Sequence, residues 1–367
     1  MKLVYDLRYA TDVFPGIGTH AHALAKGLLA GGLCAQIKFL WDPRARNTRF
    51  DLEPMRRHPR ARWVECASPA LSVGTPLATG RLLAKLEADV YLSPFWLRPE
   101  FAGLPCVLTL HDVLPLAQPR LMSGARRWAY TCAMQRAARA EAVITSSRFS
   151  RDEILRHTRI AADRLHVVPL GVELESVPPQ RPAALADGPF ALVVAANRAH
   201  KGLETLARVW HDFGAAAPLR LVSAGAQRPG GFALEERTRG QAVQVLGHVS
   251  MGELEWLYRH ATLVLVPSLY EGFGLPLLEA AARGAAVVAA RIPALLETGE
   301  GVAEFVEPLS ADAWRAAITE LAASPARREA MRTAGLERLE RYRHVECAAG
   351  VERVLQQVAA ARPGVHA

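Results

Sequence analysis

The stretch Thr262-Leu263-Val264-Leu265-Val266-Pro267-Ser268-Leu269-Tyr270-Glu271-Gly272-Phe273-Gly274-Leu275-Pro276-Leu277-Leu278-Glu279 decides the fold. A short, nearly all-apolar run ends at Pro267, a glycine-bearing loop follows, and an apolar helical pattern then opens with Pro276 in its first turn, where a missing N–H costs nothing. Gly272 and Gly274 permit backbone conformations and close approaches that a Cβ would obstruct. The unit reads as strand, loop, helix, and its free amides and positive helix end form a seat for an anion. Glu271 stands in the loop and Glu279 in the helix, eight residues on. Half loop and half helix, that spacing spans on the order of 10 Å.

Working outward, the same unit repeats. Apolar runs at Phe190–Ala195, Leu219–Ser223, Val243–Leu246, Thr262–Val266, Ala286–Ala289 and Glu304–Val306 alternate with helical patterns. The first half of the chain carries a matching set at Lys2–Tyr5, Gln36–Leu40, Ala88–Ser93, Cys106–His111, Ala142–Ser146 and Leu165–Leu170. Such runs predict parallel strands covered on both faces, as in doubly wound α/β folds. The proline-rich stretch from Val177 to Pro189 separates the sets and reads as a linker. Beyond Pro308 the chain turns helical, with a cap expected around Ser310 and another helix starting at Pro325. The 367 residues suffice for two domains. The expected boundaries are 1–178, joined by a terminal helix at about 345–367, and 185–344.

Composition narrows the function classes. Half the residues are hydrophobic and 22% are charged, which excludes collagen-like, coiled-coil and disordered chains. No run reaches the roughly 18 apolar residues of a membrane span, and charge at Lys2, Asp6 and Arg8 interrupts any signal-peptide core, so a cytoplasmic location is expected. The five cysteines are odd in number and form no C-x-x-C pair, which argues against a disulfide framework or zinc knuckle. Residues 1–180 carry 24 Lys/Arg against 16 Asp/Glu, while 181–367 carry 20 of each, so the whole net charge of +8 lies in the first half. Nucleic acid, a membrane surface and a phosphorylated substrate are each candidate partners on that sign alone.

Three further segments could carry chemistry. Asn197-Arg198-Ala199-His200-Lys201-Gly202 ends the first strand of the second set, where Arg198 and Lys201 could both reach one anion. Fixed cations in a dry cleft stabilise charge growing on a departing phosphate, and no Asp-x-Asp occurs to hold a divalent metal in their place. In the first half, Thr109-Leu110-His111-Asp112-Val113-Leu114-Pro115 delivers His111 at a strand end. Phe14-Pro15-Gly16-Ile17-Gly18-Thr19-His20 joins the first strand to an amphipathic helix and is a second candidate anion loop through Gly16 and Gly18. His20 and His22, two apart, diverge on a helix and make a poor metal pair.

E-G-F-G-L-P followed by Glu279 resembles the E-x7-E segment of the retaining GT-B glycosyltransferases of family GT4, and the strand-H-D-x-x-P pattern at His111 is similar to a bacterial branch of that family rich in mannosyltransferases. The likeness runs from about residue 1 to 310. It implies two Rossmann-like domains facing a central cleft, a terminal helix crossing back to the first, and an enzyme that moves a hexose, with mannose from GDP-mannose favoured, from a nucleotide diphosphate sugar. Carried to this sequence, it implies that Glu271 holds donor-sugar hydroxyls and Glu279 the ribose. Amides around Gly272, Phe273, Gly274 and Leu275 take sugar hydroxyl and phosphate oxygens. Arg198 and Lys201 bind the diphosphate without a metal or other cofactor. His111 approaches the anomeric centre, with Gly16 and Gly18 beside the diphosphate and acceptor. The implied acceptor is a saccharide, in cell-surface polysaccharide assembly, and the excess positive charge of the first half fits its being linked to a polyprenyl diphosphate. Clusters at Arg44–Arg62 and Arg126–Arg139, interleaved with aromatics, add peripheral contact with the inner face of an anionic membrane. A GT-B epimerase or phosphorylase and a basic nucleic-acid-binding α/β protein are the alternatives, although no aromatic-basic RNA motif favours the latter.

Overall fold

In the computed structural model the chain divides into two units, Met1–Glu173 with Tyr342–Ala367, and Leu174–Arg341. The structure describes residues 1–121, 123–172, 177–225, 232, 234–238 and 241–361. The last six residues of the expected terminal helix, 362–367, lie outside the described residues.

The first unit is built on seven parallel strands, β1 (Lys2–Asp6), β2 (Gln36–Trp41), β3 (Ala61–Glu65), β4 (Val90–Ser93), β5 (Cys106–Thr109), β6 (Ala142–Thr145) and β7 (Leu165–Val167), in the order β3-β2-β1-β4-β5-β6-β7. Because successive side chains on a strand point to opposite faces, each all-apolar run feeds two cores. Leu3, Tyr5, Ile37, Phe39, Val90 and Leu92 pack on one face, whereas Val4, Leu40, Tyr91 and Leu108 pack on the other. The helix His344–Ala360 covers the first face beside the helix Pro15–Ala30. They meet closely, since a Cβ on Gly27 would lie 2.6 Å from that of Ala348. The chain returns to this unit as Val172 N–H donates to the Tyr342 carbonyl at 2.6 Å.

Strand β3 was not among the expected strands. Its sequence, Ala-Arg-Trp-Val-Glu, mixes charge into a short run because it is an edge strand with only β2 as a neighbour. Its Trp63 packs on Phe39 and Trp41, and the Arg56 guanidinium lies 4.3 Å and 4.4 Å from the Trp41 and Trp63 rings.

The second unit carries β8 (Phe190–Val194), β9 (Arg220–Ala224), β10 (Val243–Gly247), β11 (Leu263–Val266), β12 (Val287–Ala290) and β13 (Ala303–Val306), all parallel, in the order β10-β9-β8-β11-β12-β13. Both sheets therefore share the Rossmann strand order 3-2-1-4-5-6. Ser310 caps the helix Ala311–Ala323, accepting from the Ala313 amide, and Pro325 opens the helix Pro325–Leu339. The stretch expected as a linker is tied to this unit: Gln180 N–H donates to the Gly252 carbonyl and Ala186 N–H to the Gln244 side chain.

Candidate functional site

The order β9-β8-β11-β12 puts the reversal of winding between β8 and β11, where the connections leave to opposite faces and open a crevice beyond the strand ends. The two loops that leave those ends contain the segments singled out above. They are pinned together: Leu269 N–H donates to the His200 carbonyl at 2.8 Å. Gly202 adopts φ +69°, and a Cβ there would sit 2.0 Å from the Pro267 carbonyl, so no other residue lets the loops come this close.

This contact brings Lys201 to Glu271. The Lys201 Nζ lies 2.6 Å from Glu271 Oε1, and the Ser268 hydroxyl donates to the same oxygen at 2.7 Å. Burial pushes the Glu271 carboxyl up, but the Lys201 ammonium and the Lys201 and Ser268 hydrogen bonds outweigh it and hold the group below its ordinary value. It is therefore a carboxylate at neutral pH. With both donors on Oε1, the other oxygen remains available to hydroxyl groups. Nearby, burial foremost and then the charge of Lys201 lower His200 to about 4, so it is neutral at pH 7. Arg198 stands exposed at the start of the one-turn helix Ala199–Lys201.

Gly274 caps the helix Leu275–Ala282 with φ +104°, a left-handed conformation, and a Cβ would meet Leu295 at 2.4 Å. The Thr298 hydroxyl donates to the Phe273 carbonyl at 2.9 Å and fixes the turn at the helix mouth. Gly272 and Phe273 are buried, and Leu275 is half-buried. On the helix, Glu279 accepts from the Tyr258 hydroxyl at 2.9 Å. The ring of Tyr258 lies under Arg283, 5.5 Å from its guanidinium carbon, and Arg283 is held at 2.7 Å by Glu255, which is 2% exposed and also binds Arg259 at 2.6 Å. Sequence reasoning assigned nothing to Ser268 and Tyr258. Ser268 had a weak local signal, three residues before Glu271, while Tyr258 is 21 residues from Glu279 and had none.

In the first unit His111 follows β5. Its Nε2 lies 3.1 Å from the Pro94 carbonyl, which can only accept, so Nε2 carries the proton and Nδ1 keeps the lone pair. Burial lowers His111 to about 4, although the Pro94 contact works the other way, and the ring is neutral at pH 7. Its neighbour is His20, whose ring meets it edge-on at 5.3 Å and 88°. Burial, then the proximity of His111, lowers His20 to about 3. The two remain neutral in the folded state well below the ordinary histidine value. Asp112 accepts from the Leu114 amide at 2.9 Å, a turn role.

The glycine loop differs from expectation. The helix begins at Pro15, so Gly16 and Gly18 lie in its first turns instead of a preceding loop, because proline at the start is preorganised for the helix. Gly18 has a packing reason, since a Cβ would lie 2.9 Å from both the Phe50 ring and the Tyr9 carbonyl; Gly16 is exposed with open space around it.

Two family profiles match consecutive parts of the chain: one described as Glycosyltransferase Family 4 over residues 15–176, and one described as Glycosyl transferases group 1 over 179–338. The chain belongs to glycosyltransferase family 4. Among relatives of the family 4 chain, an MMP alpha-(1->4)-mannosyltransferase of Mycolicibacterium hassiacum is 30% identical over 61% of this chain and 58% of its own length. O-antigen chain mannosyltransferase B of Escherichia coli is 27% identical over 66% of this chain and 67% of its own. In structure, the family 4 chain superposes on sucrose-phosphate synthase of Thermosynechococcus elongatus with a TM-score of 0.72 at 20% identity, covering 99% and 100% of the two chains. The fold is GT-B.

Proposed function

We propose that this family 4 protein transfers a hexose with retention of anomeric configuration from a nucleotide diphosphate sugar, GDP-mannose first among donors, to a saccharide acceptor carried on a polyprenyl diphosphate. The reading includes assembly of cell-surface polysaccharide and contact with the inner face of an anionic membrane. It rests on one observation above all: Lys201, Ser268 and Glu271 converge within hydrogen-bond distance at the winding reversal of the second sheet. The mannosyltransferase names of the two relatives described above support the choice of sugar.

In this reading Glu271 accepts from sugar hydroxyls through the oxygen that Lys201 and Ser268 leave open. Amides of Phe273 to Leu275 and the positive end of their helix seat phosphate oxygens. Glu279 accepts from the ribose, and Arg198 with Lys201 holds the diphosphate. As the sugar–oxygen bond breaks, negative charge grows on the bridging oxygen, and these cations stabilise it in place of a metal. The leaving phosphate takes the acceptor proton on the same face, so no side-chain nucleophile is required. Neutral His111, with its Nδ1 lone pair, accepts from a hydroxyl of the sugar near the anomeric carbon.

Two measurements follow. In a thermal-shift screen, GDP-mannose at a hundred times its Kd should stabilise the protein by about 2.7 kcal/mol, UDP-sugars should do less, and EDTA should leave turnover unchanged. A larger shift with a UDP-sugar reverses the donor assignment, and loss of turnover in EDTA restored by a divalent cation removes the metal-free mechanism. Tyr258→Phe removes a hydrogen bond to a carboxylate worth about 1.5 kcal/mol, so KM for the donor should rise about tenfold at little change in kcat. With a donor lacking the ribose hydroxyls the penalty should vanish. An equal penalty on both donors means that Tyr258 only supports the helix.

A further inference from the structure

The exposed apolar side chains of the first unit are not scattered. Of the eleven large ones that stand exposed among the described residues, Leu71, Val73, Leu77, Phe101 and Trp128 belong to the connections that follow β3, β4 and β5. In a parallel sheet those connections all leave from the carboxyl ends of the strands. They also touch one another. Glu100 N–H donates to the Pro76 carbonyl at 3.0 Å, and Gly80 is packed so closely under the Glu100 carbonyl that a Cβ would lie 1.5 Å from it. Trp96 meets Tyr130 edge-on at 5.2 Å midway along the helix Gly124–Ala137, and Glu100 pairs at 3.3 Å with Arg136 in its last turn, so the connection after β4 runs along that helix.

Within that rim Val73 is fully exposed, Phe101 is 80% exposed and Trp128 71%. Phe101 is in addition the one described non-glycine residue with positive φ, at +56°. A bulky residue in the left-handed region costs on the order of 1 kcal/mol or more, and here the strain holds an aromatic ring out in water. Every residue from Ser123 to Ala129 is exposed, so no described residue of the unit covers this end of the helix. Its charges are basic: Arg120, Arg126 and Arg127 are exposed and have no carboxylate partner among the described residues.

The other arginine-rich segment behaves differently. Arg44 is bound to Asp42, Arg46 to Asp12 and Arg56 to Glu53. Arg60 donates to the Leu29 and Cys34 carbonyls, and Arg62 to those of Pro59 and Ala61. Much of that cluster is spent on the protein's own acceptors, so it offers less free charge than Arg120, Arg126 and Arg127 together, although Arg57 within it and Arg81, Lys85, Arg139 and Arg159 elsewhere in the unit are also exposed with no carboxylate partner among the described residues.

We propose that the connections after β3, β4 and β5 form a docking surface for an anionic lipid bilayer, with Val73, Phe101 and Trp128 entering the interfacial zone while Arg120, Arg126 and Arg127 meet lipid phosphates. Apolar tips alternating with unpaired arginine match that environment, where side chains need hydrocarbon contact and counter-charge together. The same sheet end carries His111, so docking would bring a lipid-carried acceptor to it. The inference deepens the membrane part of the function proposed above and rests on that reading for the acceptor alone.

Sedimentation of the full-length protein with vesicles tests it, with no donor or acceptor present, so that the outcome is separate from glycosyl transfer. Binding is expected to phosphatidylcholine vesicles containing phosphatidylglycerol and to be weak with phosphatidylcholine alone. Val73→Ser/Phe101→Ser should reduce binding about tenfold, and Arg126→Ser/Arg127→Ser by about fivefold per arginine at low salt, while Arg44→Ala/Arg46→Ala should change it less than twofold. The four positions other than Val73 and Phe101 are arginines on the surface, and an unchanged thermal midpoint confirms folding. Wild-type binding by either double variant at the rim overturns the proposal. So does equal binding to neutral and anionic vesicles, or concentration-dependent self-association abolished by Val73→Ser/Phe101→Ser, which would make a second copy of the chain the occupant.

Discussion

Lys201→Ala is expected to lower kcat/KM about a hundredfold to a thousandfold, the effect of removing one fixed electrostatic stabiliser from a site where charge develops. Two changes act at once. In the proposed mechanism the leaving diphosphate loses a cation, and Glu271 loses the 2.6 Å partner that keeps it ionised against its burial. Glu271→Gln separates them, because the amide keeps the shape and can still accept from Ser268. It should cost about a hundredfold, expressed mainly in kcat if the sugar hydroxyls are gripped more tightly in the transition state than in the ground state. The check is steady-state kinetics on the purified variants with saturating acceptor, alongside nucleoside diphosphate affinity. If either variant transfers sugar at near wild-type kcat/KM, the cluster is a structural ion pair and the proposed site fails with it.

Arg8→Ala should destabilise the first unit strongly, by about 3–5 kcal/mol. Asp6 and Arg8 form an ion pair at 2.6 Å whose side chains are both 1% exposed. The coupling is complete on both sides: Asp6 also accepts from the Tyr91 hydroxyl at 2.8 Å, and Arg8 donates to Cys66 Sγ, the Ser68 carbonyl and the Thr79 hydroxyl. Removing the guanidinium leaves a carboxylate in a dry interior and releases the connection after β3, which carries Val73. Thermal and urea unfolding read the loss. At about 2–4 °C per kcal/mol for a unit of this size, the midpoint should fall by roughly 6–20 °C. Asp6→Leu/Arg8→Met removes both charges and should recover part of it. A loss under about 1 kcal/mol for Arg8→Ala would mean that water reaches the pair and that the apparent burial carries no energetic weight.

Much of the architecture was legible in the chain because it follows from local rules. An all-apolar run of four to six residues between helical patterns cannot leave either face in water, so it announces a parallel strand without any knowledge of its partners. Only β3 escaped, since at an edge the demand for two buried faces lapses and Arg62 and Glu65 are tolerated. The turn at the mouth of the helix Leu275–Ala282 was legible for the same reason: Gly274 with φ +104° and Pro276 in the first turn are chemical requirements of that turn. The start of the first helix was misplaced because glycines suggest a loop, whereas Pro15 nucleates the helix through them and the reason for Gly18 is a distant neighbour, Phe50.

The order of residues along the chain thus determined the two α/β halves, the glycine turn that opens the helix Leu275–Ala282, and Lys201, Glu271 and Glu279 as the residues to watch, because periodicity, turn chemistry and charge act over a few neighbours. Tertiary structure alone decided which of them meet. Lys201 and Glu271 are 70 residues apart and Tyr258 and Glu279 are 21 apart. Those distances close only when strand order sets β8 beside β11 and a glycine lets their loops touch. It also decided which arginines stay available, since a guanidinium turned onto its own carbonyls and one facing water read identically in sequence. Hydrogen bonds and ion pairs are made between surfaces that packing brings together, and packing is a property of the whole sheet.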